Sequence, residues 1–190
     1  MISRRFFEEV FVTEIYKPGR KLGSMNIIID LGACTGEFSL WVYSQAQKIY
    51  AIEADIEAFN HLHENIKDFP RIIPIHVAIA GKNGIRSISG TIIGAKSIIN
   101  IDDDSLPKVR AKTLATFLEE EKIAIVDCLK IDIESAEKEV FEAEDFPMIA
   151  DKIKYIIGEP HSYYKAIKKA LSQNGFKVNE YPHGYIARRK

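Results

Sequence analysis

Short apolar runs that alternate with amphipathic segments constrain this chain more than any other feature. "NIIIDLG" (26–32) is an apolar run that stops at a glycine, which suits a central parallel strand buried on both faces. "GEFSLWVYSQAQ" (36–47) follows, with Phe38, Trp41 and Val42 at helical spacing. "KIYAIEAD" (48–55) reads as a second strand. "DIEAFNHLHENIKDF" (55–69) sets Phe59, Leu62, Ile66 and Phe69 on one stripe, with Asp55 at its start. "RIIPIHVAIAG" (71–81) is a third strand, interrupted at Pro74. Strand, helix, strand, helix, strand is the order of a doubly wound parallel α/β sheet.

Residues 82–112 break the alternation with short Ile-rich pieces between Gly, Ser, Asn and Asp. They read as small extra strands or a loop excursion, an insert that either shapes a site or is a structural flap. "TLATFLEEEK" (113–122) resumes as a helix capped by Thr113, "IAIVDCLKIDIE" (123–134) is the fourth strand and "SAEKEVFEAE" (135–144) the next helix. "KIKYIIGEPH" (152–161) is a fifth strand, and "SYYKAIKKALSQNG" (162–175) a helix with Tyr164, Ile167 and Leu171 as its stripe and Gly175 as its stop. "FKVNEY" and "GYIARRK" form a hairpin across "PHG", which puts an antiparallel strand at the sheet edge. A length of 190 residues fits one domain, 1–190, with 1–24 as an N-terminal extension.

A net charge of −1 supplies no overall field for nucleic acid or anionic membrane. No apolar run approaches the roughly 20 residues of a membrane helix. Acids among the first residues come too early for a signal peptide's apolar region. Cys34 and Cys128 fit no metal or redox spacing and lie in apolar segments. The expectation is a soluble, cytoplasmic protein with reduced cysteines, no nucleic-acid partner and no membrane partner.

In an open α/β sheet, ligands bind beyond the carboxyl ends of the strands, where the strand order reverses. "DLGACTG" places Asp30, Gly32 and Gly36 there, and Glu53 ends the second strand. The spacing departs from the G-x-G-x-x-G of dinucleotide binding, which argues against a nicotinamide-linked oxidoreductase. A carboxylate two residues before the first glycine suits a cationic ligand, and an acid at the next strand end suits ribose hydroxyls. Together they favour S-adenosylmethionine. The plainer reading is that Asp30 caps a turn and Glu53 the next helix.

The fourth strand raises a second question. In "CLKIDIESAE" (128–137), Leu129, Ile131 and Ile133 alternate with Lys130, Asp132 and Glu134, so the three charges share one face. Buried charges must pair or reach a cavity. Either Lys130 and Asp132 form a structural ion pair, or the strand end opens onto a site flanked by Asp132 and Glu134. Glu137 fits a helix start equally well. "GEPH" brings Glu159 and His161 to the same sheet edge, so Asp132 or His161 could serve as a base, with Glu159 orienting the histidine or binding substrate. His161 reads equally as a loop histidine ahead of a helix capped by Ser162. No spacing demands a metal.

In order, "IIIDLGACTGEFSL", "YAIEAD", "IPIHVAIAGKNG", "KTLATFLEEEKIAIVDCLKIDIESAEKEVF" and "YIIGEPH" resemble the FkbM family of S-adenosylmethionine-dependent methyltransferases. The family's D-x-x-K-I-D-x-E-G-A-E pattern is filled by Asp127, Lys130, Ile131, Asp132, Glu134, Ala136 and Glu137, with Ser135 in place of the glycine. Cys34 stands where the family commonly has Asn. The resemblance implies a Rossmann-like class I methyltransferase fold: a mostly parallel seven-stranded sheet, helices on both faces and a C-terminal antiparallel hairpin. It implies methyl transfer to a hydroxyl of a small molecule or sugar. Asp30, Gly32, Ala33 and Gly36 would carry the cofactor loop, Glu53 with Ala54 beside it would hold the ribose, and Ala78 would lie beside the adenine. A non-catalytic cofactor-binding module is the alternative.

Overall fold

A computed structural model of the chain describes residue 16 and residues 23–90, 97–99, 105–134, 136–159, 163–182 and 184–190. In chain order the strands are β1 (Met25–Leu31), β2 (Ala46–Glu53), β3 (Ile72–His76), β4 (Ala78–Ile79), β5 (Gly84–Ser89), β6 (Ser97–Ile99), β7 (Lys108–Lys112), β8 (Val126–Ile131), β9 (Ile153–Gly158), β10 (Phe176–Tyr181) and β11 (Gly184–Arg189). The helices are α1 (Glu37–Trp41), α2 (Ile56–Ile66), α3 (Leu114–Glu120), α4 (Glu137–Phe141) and α5 (Tyr164–Gln173).

Among the described residues, seven strands form one sheet in the order β10-β11-β9-β8-β1-β2-β3. β11 runs against both of its neighbours, and the other neighbouring pairs are parallel. The expected mostly parallel sheet with a C-terminal hairpin is therefore present. Alternation along β1 divides its side chains between two apolar layers. Ile29 and Leu31 join Leu114 and Phe117 of α3, Val140 and Phe141 of α4, and Ile167 and Leu171 of α5. Ile28 faces Phe38 and Trp41 of α1 and Leu62 and Ile66 of α2. On β8, Leu129 and Ile131 belong to the first layer with Ile133 packed against it, as the apolar face of that strand predicts.

Several boundaries differ from the sequence reading. The antiparallel hairpin does close one edge of the sheet, with β10 outside and β11 inside. Burial explains the order, because β11 carries the fully buried Tyr185 and Ala187 whereas Lys177, Asn179 and Glu180 of β10 are exposed. The helix expected over 36–47 is one short turn, α1, and a 3-10 turn at Tyr43–Gln45, because Ala46 already pairs with Met25 in β2. The third strand breaks at Val77 rather than Pro74. Pro74 is tolerated because β3 is an edge strand, and the chain then leaves the main sheet to pair β4 with β7. The fourth strand spans only Val126–Ile131, and the helix expected over 135–144 spans Glu137–Phe141.

Residues 82–112 contribute β5, β6 and β7 to a second, four-stranded sheet in the order β4-β7-β5-β6. Ala78, Ala80, Ile88, Val109 and Ala111 form its small core, and Ala54 packs against that core beside the end of β2. Asp55 and Thr113 cap α2 and α3 as expected, accepting from the backbone N–H of Glu57 and Thr116. Among the described residues, no helix is long and apolar enough to cross a membrane.

Candidate functional site

From β1 the chain moves outward to β2 and β3 on one side, while β8 and β9 lie on the other. The order therefore reverses between β1 and β8, and the crevice beyond their carboxyl ends is the expected ligand position. Asp30 and Lys130 are register partners there, one residue before the paired ends Leu31 and Ile131.

Lys130 is buried, and its ammonium has three hydrogens to place. Nζ donates to the carbonyl of Gly32 at 2.7 Å and of Leu31 at 3.3 Å, and lies 3.1 Å from Asp30 Oδ1. Asp132 Oδ2 stands further off, at 3.9 Å. Burial works to discharge the lysine, but Asp30 and Asp132 outweigh it and hold its pKa above the ordinary value. The structural ion pair is thus chiefly Lys130–Asp30, across the two strands, and the same lysine pins the loop after β1. Asp30 is fully buried, and its other oxygen accepts from Ser39 Oγ at 2.7 Å.

That loop needs its glycines for position. Gly32 has φ 74, and a Cβ there would lie 1.8 Å from the Asp132 carbonyl oxygen, so only hydrogen fits between the two strand exits. Gly36 has φ 99, and a Cβ would meet Leu62 of α2 at 2.9 Å. Ala33 is buried, and its N–H and that of Gly32 both donate to the carbonyl of Ile52. Cys34 is left-handed at φ 49, a conformation in which Asn is at home and Cys is strained.

Glu53 joins the loop to the next helix. Its Oε2 accepts from Cys34 N–H and its Oε1 from Asp55 N–H, each at 2.8 Å. Burial pushes the Glu53 carboxyl up to about 7, against those two hydrogen bonds and the charge of Lys130. Ala54 follows it, and Ala78 is buried in the side-sheet core against which Ala54 packs.

Asp132 continues the β8 register for one residue, its N–H donating to Leu31 O. Beyond it the expected alternation fails. Glu134 is left-handed at φ 50, so it does not share a strand face with Lys130 and Asp132. Glu137 is buried at the start of α4, and its Oε1 accepts from Ile133 N–H at 3.1 Å, which closes the turn. Glu159 directly follows β9. His161 lies outside the described residues. Among the described residues, no group of three or more His, Cys, Asp and Glu side chains is disposed to hold a metal ion.

One residue that the sequence did not point to completes the cluster. Tyr16 is 2 % exposed, and its hydroxyl lies 2.7 Å from Asp132 Oδ2 and 3.4 Å from Glu159 Oε1. Its ring meets Phe38 edge-on at 5.3 Å and sits 5.6 Å from Lys130 Nζ. Nothing in the sequence pairs residues 116 positions apart, so only the fold could bring it here. Glu37 is also buried beside the loop and accepts from Thr35 Oγ1. Burial raises its pKa, and Asp30 adds to the rise.

A family model described as the methyltransferase FkbM domain matches residues 30–178. No curated protein matches the sequence. Similar solved structures include the methyltransferase FkbM of Methylobacillus flagellatus KT, with TM-score 0.59 and 12% identity over 86% of this chain and 43% of that one. TrmK of M. capricolum in complex with S-adenosylhomocysteine gives TM-score 0.57 and 14% identity, over 100% of this chain and 70% of that one. Fibrillarin of Aeropyrum pernix, with natively bound S-adenosylmethionine, gives 0.52 and 16%, over 87% and 66%. At these identities the likeness is one of fold, and the chain spans less than half the length of the first of these proteins.

Proposed function

The chain belongs to the FkbM methyltransferase domain family, whose members depend on S-adenosylmethionine, and from that premise we propose that it methylates a hydroxyl oxygen of a small molecule or sugar. The observation that carries this reading is the gathering of Asp30, Glu37, Glu53, Asp132 and Glu159 around the crevice, beside the buried Lys130. Burial raises the cost of ionising Glu37 and Glu53, and a cationic ligand nearby relieves that cost. The donor set therefore fits S-adenosylmethionine. When bound, that cofactor supplies a methyl group on a positively charged sulfonium.

In this reading Asp30, Gly32, Ala33 and Gly36 form the cofactor loop, with Lys130 fixing its carbonyls from behind. Each Glu53 oxygen takes one backbone N–H and keeps a lone pair for a ribose hydroxyl. Ala54 offers small apolar surface to the adenine, and Ala78 backs it from the side-sheet core. Asp132 receives the acceptor hydroxyl's proton at its carboxylate, and Glu159 orients the acceptor. Glu134 and His161 are further candidates for contacts with the acceptor. The side sheet from residues 82–112 shapes the acceptor pocket. Both cysteines are unpaired, which suits a reducing, cytoplasmic setting.

Calorimetry with S-adenosylhomocysteine and with NAD tests the cofactor, and the expected result is binding of the first alone. Methyl transfer to a panel of hydroxylated acceptors then tests the reaction. Asp132→Asn should retain product binding and lose turnover by about 100-fold or more, as for loss of a general base. An Asp132→Asn variant of undiminished turnover would remove Asp132 as the base. Binding without turnover on any acceptor would favour a non-catalytic module.

A further inference from the structure

Tyr16 precedes the residues that the family model matches, yet its hydroxyl reaches both carboxylates that flank the proposed transfer site. A phenol has one hydrogen to donate. At 2.7 Å it serves Asp132, while Glu159 at 3.4 Å lies at the limit of a hydrogen bond. Burial, with Asp132 and then Glu159 nearby, raises the Tyr16 pKa well above the usual tyrosine value, so the hydroxyl stays protonated and remains a donor.

The position of Asp132 gives that bond a consequence. Its Oδ2 is 3.9 Å from Lys130 Nζ, too far for a hydrogen bond but within reach of the ammonium's charge. Lys130 spends its hydrogens on Asp30 and on the carbonyls of Leu31 and Gly32. Tyr16 draws the same Asp132 oxygen the other way. Without the hydroxyl, that pull is lost and the Coulomb attraction of Lys130 shifts the Asp132 carboxylate inward, so less of its charge is presented to a ligand.

We propose that Tyr16 is a positioning residue: by holding Asp132 off Lys130, next to Glu159, it sets the site's preference for a sulfonium cofactor over the neutral thioether product. This rests on the S-adenosylmethionine reading above. The phenol ring packs on Phe38 and lies over Lys130, so Tyr16→Phe keeps the packing and removes only the hydroxyl.

The test is calorimetry of the full chain with S-adenosylmethionine and with S-adenosylhomocysteine, for wild type, Tyr16→Phe, Asp132→Asn and the double variant. A hydrogen bond to a charged group implies that Tyr16→Phe weakens S-adenosylmethionine binding about tenfold, and the neutral product by less than about twofold. Asp132→Asn should show a similar selective loss, and the double variant no further loss, because Tyr16 acts through Asp132. Equal loss of both compounds in Tyr16→Phe would reduce Tyr16 to a packing residue and overturn the inference. So would unchanged binding of both, or losses that simply add in the double variant. Those results leave the cofactor reading intact. A wild-type chain that binds neither compound overturns the cofactor reading and this inference together.

Discussion

The two ends of β8 each set an aspartate against a lysine, Asp127 with Lys154 of β9 at the amino end and Asp30 of β1 with Lys130 at the carboxyl end, and use the pair differently. At the amino end Asp127 Oδ2 accepts from the N–H groups of Asn26 and Ile27, at 2.7 and 3.0 Å, and Oδ1 meets Lys154 at 2.6 Å. Burial opposes ionisation of Asp127, but the Lys154 bond and the two N–H groups outweigh it and hold its pKa below the ordinary carboxylate value. Every demand of that acid is met inside the protein, and the lysine side chain is 54% exposed. At the carboxyl end Lys130 is buried among acids, and burial pushes Glu53 the opposite way, up to about 7. The satisfied Asp127 staples β8 to both β1 and β9. At the other end Lys130 meets Asp30 first, and burial keeps Glu53 costly to ionise.

Three measurements would break or sharpen that contrast. The largest effect is expected at the buried lysine. Lys130→Met leaves Asp30 buried without its cation and should cost about 3–5 kcal/mol in urea unfolding, with Asp30→Asn added to it restoring part of the loss. A cost under 1 kcal/mol would mean that Lys130 is as dispensable as an exposed lysine.

The second concerns the sign of pH dependence, which should be opposite at the two ends. Glu53 has a raised pKa, so the stability it contributes is present at low pH and lost as pH rises from the ordinary carboxylate value through about 7. Asp127 has a lowered one, so its contribution is present above the ordinary value and lost as pH falls through its native value. Ligand binding adds a sharper readout. If ionised Glu53 accepts the ribose hydroxyls, affinity for S-adenosylhomocysteine should rise about tenfold between pH 6 and pH 8, and Glu53→Gln should flatten the profile. A flat wild-type profile would detach Glu53 from the ligand.

The smallest effect is expected at the amino end. Lys154→Met removes an exposed partner from an acid that keeps two backbone donors, and should cost about 0.2–1 kcal/mol by thermal or urea unfolding. A loss as large as that of Lys130→Met would erase the distinction between staple and site.

Much of the architecture was legible because it depends on local periodicity. The runs at β1, β2, β8 and β9, the stripe of α2 and its Asp55 cap all follow from spacing alone. Boundaries were less so, since pairing partners set where a strand starts and stops. Ala46 joins β2 because Met25 lies opposite, and β3 ends where Val77 turns toward the side sheet. The site was legible as a set of strand ends, but not as a network. Alternation placed Lys130 and Asp132 on one face and suggested that they pair. It carried no information that Asp30, on another strand, would take the closer position.

By itself the sequence determined the fold class, the turn after β1 and the acid-rich character of the strand ends, because each depends on residues close together in the chain. Tertiary structure alone decided which acid neutralises Lys130, why Gly32 admits no side chain, and that Tyr16 stands between Asp132 and Glu159. Those contacts join residues far apart in the chain, up to 143 positions for Tyr16 and Glu159, and their distances depend on how parallel strands register and how far each loop turns back. No local preference encodes that geometry.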